Sequence, residues 1–439
     1  MDSINFYLSG VFVPVALLIA SVFFLVRLKG KPLTKILTLM REIFKKKNGN
    51  DTSSIRAVIF ALAGTLGVGN IVGVASAIAL GGAGAVFWMW ISAILAMILK
   101  YSEVVLAVKH RRTRKSERFG GAMYYMTDLF AYMRKPFLGR IFTGIFVVLC
   151  LLNGFTMGGM IQSNSVAEAF EATLGVSKIC VAFVIIVILC IVFFANGKKV
   201  FSLCGRLVPF VSILYTVLCL AVIINSYDRI PAIMSDIIDD AFSFAAIGGG
   251  ALGFMTSRAL RYGTIRGLFS NEAGCGTSPM AHATSSTDSP CEQGFLGIFE
   301  VFVDTILVCT MTAFVILINA KSLSCANPIL TVLTAFEISF GRVSGVLLTV
   351  SLFLFALATI ICWGYYGKEC IYFISKSQTS QNVYFVAYIL FVGLGCCISP
   401  DAAWQVADFA IGLMTPMNLI TLVFMSDEIA RETEMYFKK

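Results

Sequence analysis

The chain has 439 residues, of which 58% are hydrophobic and 13% charged, and its formal net charge is +9. A soluble domain carries about 25% charged residues, because a globule must cover its core with solvated groups. This chain lacks that cover, so lipid is the solvent for most of it, which excludes a soluble multidomain protein. The excess of basic residues lies in short loops between apolar runs, as in cytoplasmic loops of membrane proteins, and this argues against a nucleic-acid partner. The thirteen cysteines are placed singly, mostly inside apolar runs, as at Cys150, Cys190, Cys219, Cys309 and Cys362. They read as small buried hydrophobes, neither a disulfide frame nor a metal site.

In chain order, the first apolar run, Gly10 to Leu25, has no basic stretch before it and a basic cluster from Lys29 to Lys47 behind it. That marks a retained span, not a cleaved signal. About eleven spans are predicted, each near the ~20 residues that cross hydrocarbon, at 8–27, 57–82, 84–108, 139–168, 178–195, 207–226, 258–283, 293–319, 344–374, 384–400 and 403–426. The loop at 27–47 carries Arg27, Lys29, Lys31, Lys35, Arg41 and Lys45 to Lys47, and the loop at 109–118 is equally basic. Lys198, Lys199 and Arg206 follow on the same side, whereas 227–240 holds Asp228, Asp236, Asp239 and Asp240 against Arg229. Short basic loops stay in the cytoplasm, which puts the N-terminus outside, the C-terminus inside and the protein in the plasma (inner) membrane. The Gly-rich stretch 241–257 fits neither a span nor a simple loop.

The ten spans after the first divide into five and five. Five is odd, so the second set enters the membrane in the opposite sense, the inverted-repeat layout of secondary transporters. The resulting division is an extra helix and basic loop (1–56), a first repeat (57–226), an extracellular connection (227–257), a second repeat (258–426) and a cytoplasmic tail (427–439).

Each repeat opens on an interrupted helix: Gly64-Thr65-Leu66-Gly67-Val68-Gly69-Asn70-Ile71-Val72-Gly73 in the first, Phe269 to Pro279 in the second. Glycine costs about 1 kcal/mol against alanine inside a helix, so such runs unwind locally. Unwound backbone is tolerated at membrane depth only where it lines a cavity. Half-helix N-termini then offer N–H groups to a carboxylate, and C-termini offer carbonyls to a small cation. Gly69 and Gly73 also have the spacing of close helix packing. Two breaks in matching places favour a binding site.

The run from Gly64 to Trp90, the KYSEVVLAVKHR that begins at Lys100, and GGAMYYM resemble the alanine or glycine:cation symporter family. So do Gln162-Ser163-Asn164-Ser165, GLFSNEAGCGTSP, Glu292-Gln293-Gly294 and Trp363-Gly364-Tyr365-Tyr366-Gly367, over almost the whole chain in order. The resemblance implies an all-α, LeuT-type five-plus-five inverted repeat with one extra N-terminal helix. It also implies symport of a small neutral amino acid (alanine or glycine, or glutamine), with Na+ as coupling ion or H+ in its place and no other cofactor. On this basis the substrate site is expected at Gly69, Asn70, Gln162, Phe269, Asn271 and Trp363, and the cation site at Leu66, Gly69 and Thr359. The chain departs from the family pattern at Val68, Ala83, Ala122 and Ala358, and the losses at Val68 and Ala358 remove two hydroxyls.

An intramembrane charge is costly and marks a candidate. Glu272 reads as a brace for the second break, and Glu300 and Asp304, four apart, share one helical face as a gate pair or an interhelical bond. Asp408 reads as a structural partner, Arg258 and Arg266 as outer anchors, His110 as solvated and His282 as a polar helix end. Phe269 and Trp363 are expected to wall one side-chain pocket. No HExxH, GxSxG, paired CxxC or Walker motif occurs, so a catalytic or ATP-driven role is not expected. A channel would need a filter or charged rings. A substrate-sensing receptor of the same fold stays an alternative, and a monomer is the expected functional unit.

Overall fold

The computed structural model describes residues 2–35, 53–114, 117–195, 200–243, 258–320, 323 and 327–438. The basic residues Arg41, Lys45 to Lys47, Lys115, Lys198 and Lys199, and residues 244–257 of the Gly-rich stretch, lie outside the described residues.

Helix α1 (Ile4–Arg27) is the extra helix, and the first repeat opens with α2 (Ser54–Thr65) and α3 (Val68–Gly81), bent by 65° at their junction. Then come α4 (Gly84–Lys109), a hairpin of β1 (Arg112–Arg114) and β2 (Glu117–Phe119), and α5 (Ala122–Tyr132). Helices α6 (Pro136–Leu174), α7 (Lys178–Phe194) and α8 (Val200–Asn225) complete the repeat, and α9 (Ile230–Phe242) connects onward. The second repeat starts with α10 (Arg258–Asn271) and the short α11 (Pro279–His282), with the break between them. Its other helices are α12 (Pro290–Ile318), α13 (Pro328–Phe340), α14 (Arg342–Ile374), α15 (Gln378–Cys397) and α16 (Asp401–Phe424). The amphipathic α17 (Ser426–Lys438) ends the chain.

Among the described residues eight helices are long and apolar enough to cross a membrane, nine with the bent α2–α3 pair. The remaining expected spans, 178–195 and 258–283, coincide with the shorter α7 and the interrupted α10–α11. Polar caps define the ends. Asn327 accepts from the N–H groups of Ile329 and Leu330 to start α13, with Pro328 at its first position. Gly175, at φ 67°, closes α6 in the left-handed conformation that glycine adopts without penalty.

Burial separates centre from rim. In α4, 83% of the most apolar window is buried, against 28% in α8, whose Phe210, Ile213, Val217, Leu220 and Ile224 form an exposed stripe for lipid. Helix α4 therefore runs through the middle, packed on α10 and α12. Gly294 and Gly297 permit this: a Cβ at Gly294 would stand 2.7 Å from the Tyr101 ring. At the N-terminal end of α4, Asp240 of α9 accepts from Gly84 N at 2.7 Å, a carboxylate on a helix N-terminus.

On the other side α17 is tied down by ions. Lys109 meets Glu428 at 2.9 Å and Glu432 at 2.7 Å, and Arg27 pairs with Asp427. His110, expected to be solvated, is instead held between Asp128 at 2.8 Å and Glu428 at 3.2 Å. Both partners are carboxylates, so the ring donates from both nitrogens only as imidazolium. Burial opposes that charge, but hydrogen bonds to Glu428 and Asp128 outweigh it and raise the His110 pKa. The bond with His110 is the chief cause that pulls Glu428 down to about 2. A raised histidine stabilises the fold below its ordinary ~6.5 and loses that contribution as pH rises through its folded value. The Glu428 contribution is present above the ordinary ~4.3 of a glutamate and is lost only as pH falls toward its folded value. The thermal stability of the purified protein should therefore fall between about pH 6 and 9, and His110→Gln should flatten that fall. Parallel melting curves for the two proteins across this range would show that His110 does not fasten α17.

Candidate functional site

At the first break the chain leaves α2 after Thr65, extends at Gly67 (φ −138°, ψ −154°) and makes one tight turn before α3. Its freed groups are met by side chains. Gly67 N donates to Asn70 Oδ1 at 2.9 Å, and Val68 N donates to Gln162 Oε1 at 3.0 Å. Thr359 Oγ1 of α14 lies 3.2 Å from the Leu66 carbonyl. Leu66, Thr359, Val68 and Gln162 thus converge within one turn of backbone.

Two π-helical segments supply the partners. The turn Thr156–Met160 precedes Gln162, whose amide nitrogen donates back to Met157 O at 3.2 Å. The second, Phe302–Cys309, carries Asp304 and leaves its carbonyl for Asn70 Nδ2 at 3.2 Å. Such π-turns often occur at functional positions because they free backbone groups. The Asp304 carboxylate also receives Asn70 Nδ2 at 2.7 Å, Ser270 Oγ at 2.6 Å and Thr305 Oγ1 at 2.8 Å. It therefore sits between the two breaks and orients Asn70. Glu300 and Asp304 share a helix but serve different partners, so they are not a pair.

The second break is held by a residue that the sequence reading passed over. Glu103 of α4 accepts from Gly274 N at 3.1 Å, Gly276 N at 2.8 Å and Asn418 Nδ2 at 2.5 Å. Gly274 and Gly276 lie at φ 83° and 81°, where a side chain would be strained. Glu272, expected as the brace, stands at φ 51° and has one bond, from Thr277 Oγ1 at 2.6 Å. His282 is the polar last residue of α11, as expected, and is buried between Glu300 at 2.8 Å and Gln293 at 2.8 Å.

The aromatic residues separate. Phe269 packs on Trp404 at 5.2 Å, with the Arg266 guanidinium over both rings, and Asp408 acts on Arg266 electrostatically. Trp363 packs its ring directly on Gly158 and edge-on to Tyr366, with no acceptor for its indole N–H. The contacts of Phe269 and Trp363 are thus made with different neighbours. Asn271 turns inward to Thr305 Oγ1 at 3.2 Å and caps Ala273 N at 3.0 Å, within the second break. Of the motif that starts at Gln162, Ser163 and Asn164 bind α15 carbonyls and are structural.

A family model described as the sodium:alanine symporter family matches residues 1–439. The chain belongs to that family. A sodium/alanine symporter of Methanococcus maripaludis is 32% identical over 99% of this chain and 96% of that one. A probable sodium/glutamine symporter of Bacillus subtilis is 32% identical over 97% and 87%. Among solved structures, a Na+-coupled sialic acid symporter matches with TM-score 0.59 at 12% identity, over 94% of this chain and 85% of that one. That likeness is one of fold: the LeuT-type five-plus-five inverted repeat with an extra N-terminal helix. The protein is a multi-pass membrane transporter of the sodium and amino-acid symport class, not an enzyme.

Membership in the sodium:alanine symporter family makes the first break the region to probe, and the steric limit there is at Gly67. A Cβ at Gly67 would stand 2.7 Å from Thr359 Oγ1 and 2.8 Å from Gln162 Oε1. At Gly69 the nearest atoms would be Ser270 Cα at 3.9 Å and the Phe269 carbonyl at 4.0 Å, which is ordinary contact. Gly67→Ala should therefore weaken ligand binding by tenfold or more, the equivalent of about 1.4 kcal/mol, while Gly69→Ala stays within a few-fold of wild type. Affinity and melting temperature measured on the same purified variants decide this. Equal losses at the two positions would contradict the placement.

Proposed function

We propose that the protein imports a small neutral amino acid, alanine or glycine first and glutamine as the larger candidate, on a sodium gradient by alternating access. The supporting observation is the first break itself. Within one turn it presents the Leu66 carbonyl with the Thr359 hydroxyl, and the Val68 N–H occupied by a neutral, displaceable amide from Gln162. A substrate carboxylate takes over amides around Val68, Gly69 and Asn70, with Gln162 and Asn271 as side-chain partners. Sodium, a hard cation that prefers oxygen ligands, takes the Leu66 and Gly69 carbonyls and Thr359 Oγ1. Among the described residues no three His, Cys, Asp or Glu side chains form a metal-binding group, which suits a monovalent ion held by carbonyls and hydroxyls. The buried hydroxyl of Thr65 and indole N–H of Trp363 have no protein partner and are available to a polar ligand. Trp363 of α14 and Phe269 of α10 bound the space from two helices of the second repeat. In this reading one monomer suffices, the N-terminus faces out, and α17 lies in the cytoplasm of the cell it feeds.

The test is uptake of labelled alanine, glycine and glutamine into proteoliposomes under imposed sodium or pH gradients. Saturable, concentrative uptake that follows the sodium gradient is expected. Uptake that follows only the pH gradient would replace sodium with protons, and binding without uptake would make the protein a sensor. Thr359→Val should raise the half-activating sodium concentration at least tenfold, about 1.4 kcal/mol, and leave the ranking of amino acids unchanged. Unchanged sodium activation would remove Thr359 from the site. Trp363→Ala should admit larger neutral amino acids and weaken alanine binding, and a wild-type specificity profile would refute Trp363 as a wall.

A further inference from the structure

We infer that the polar cluster beneath the second break is a proton-binding site, with the Glu272 carboxyl as the acceptor, and that its proton exchanges with solvent as the break moves. The observation is a charge count. Lys100, Glu103, Glu272, His282 and Glu300 are each at most 2% exposed. Three carboxylates face one ammonium, so Lys100, Glu103, Glu272 and Glu300, all ionised, would together hold a formal charge of −2. Each ion removed from water costs several kcal/mol unless it is paired and hydrogen-bonded.

The donors are shared unequally. Glu300 has Lys100 at 3.5 Å, His282 Nε2 at 2.8 Å and Ser278 Oγ at 3.0 Å from each carboxylate oxygen. Glu103 has two backbone N–H groups and the Asn418 amide. Among the described residues Glu272 has only Thr277, on Oε2, and its buried Oε1 has no partner. An ionised carboxylate with one bare oxygen is the costliest of the three, and a proton on Oε1 removes that cost. Lys100 lies close enough to act on Glu272, Glu103 and Glu300, but its Nζ makes no hydrogen bond. The ammonium is therefore free to turn toward Glu272 once the proton leaves.

The other groups that face the cluster do not supply this charge balance. Asp304, from α12, has three donors of its own and adds negative charge. Cys275 from the break, Cys362 and Tyr366 from α14, and Tyr125 from α5 are neutral thiols and hydroxyls. His282 stands between Glu300 at 2.8 Å and Gln293 Nε2 at 2.8 Å.

Geometry links this proton to motion. Glu272 is the left-handed residue at which α10 ends, a conformation that costs a non-glycine residue free energy and is kept at functional hinges. When the hinge opens to water, the O–H bond of the Glu272 carboxyl breaks, a water or buffer base takes the proton, and the carboxylate left behind pairs with Lys100. On closing, the reverse transfer restores the acid. The exchange rests on the transport reading given above, whereas the bound proton does not.

Infrared spectroscopy of the purified full chain tests the proton directly. The C=O stretch of a protonated carboxylic acid should persist in wild type at about pH 8, well above an ordinary glutamate. It should vanish in Glu272→Gln and survive in Asp304→Asn. Thr277→Val removes the one hydrogen bond to Glu272 and should move the band to higher frequency, a shift that a misfolded protein would not reproduce. No acid band in wild type, or one lost in Asp304→Asn but kept in Glu272→Gln, overturns the assignment. Calorimetry of alanine binding in buffers of different ionisation heat then tests the exchange. A slope in wild type that disappears in Glu272→Gln supports it, and buffer-independent heat in wild type overturns it. An acid band that behaves as expected in a protein that binds no alanine would leave the proton site standing and sink the transport reading.

Discussion

Hydrocarbon cannot hydrogen-bond a peptide group, and the architecture of this transporter follows from how its broken helices meet that constraint. Four backbone N–H groups stand out at the breaks: Gly67 and Val68 in the first, Gly274 and Gly276 in the second. Each has a side-chain acceptor from a neighbouring part of the structure. Removing one acceptor would leave a buried donor unpaired at about 1–3 kcal/mol. The helices that carry Glu103 and Gln162 are therefore fixed relative to the breaks, and the core is assembled around that requirement.

The two breaks are satisfied in different chemical currencies. Neutral amides from Asn70 and Gln162 serve the first, at roughly 0.5–1.5 kcal/mol net for a bond of this kind. A carboxylate serves the second, where charge-assisted bonds are about twice as strong. A ligand can replace Gln162 at little cost, but nothing of similar size replaces Glu103. In the proposed reading this asymmetry makes the first break the exchangeable surface, whereas the second keeps its own internal charge.

The sequence is most informative where composition and spacing act alone. The apolar runs and the two glycine-rich interruptions are legible because lipid and helix geometry leave few alternatives at those positions. Leu66 and Thr359 stand together at the first break, and Gln162 reaches the Val68 N–H, one residue before the expected Gly69. Glu103 was not legible: it lies inside the apolar α4, between Ser102 and Val104, and nothing local shows that α4 passes beside a break 171 residues later. Of the two readings of Glu300 and Asp304, the interhelical bond holds for each, to Lys100 and to Asn70, and a π-helical stretch that begins at Phe302 between them gives the two carboxylates different partners. The aromatic pair is ambiguous for another reason. Packing residues and pocket walls look alike in sequence, and only neighbours such as Trp404 and Gly158 distinguish them. The one signal that could have found Lys100 was its place in the middle of an uninterrupted apolar helix, where a charge must have a reason.

Helix α1 stands outside the two repeats, yet both its ends are fastened by residues made much later. Near its start the Asn5 amide donates to the Gln405 carbonyl at 2.9 Å, and at its end Arg27 pairs with Asp427. Each of these contacts joins residues 400 positions apart. During synthesis α1 packs on α4 well before α16 and α17 leave the ribosome, and only then can these two contacts form. Closing so large a loop is the slowest kind of contact to form. The seam between α1 and the α16–α17 pair thus closes only after α16 and α17 have been delivered.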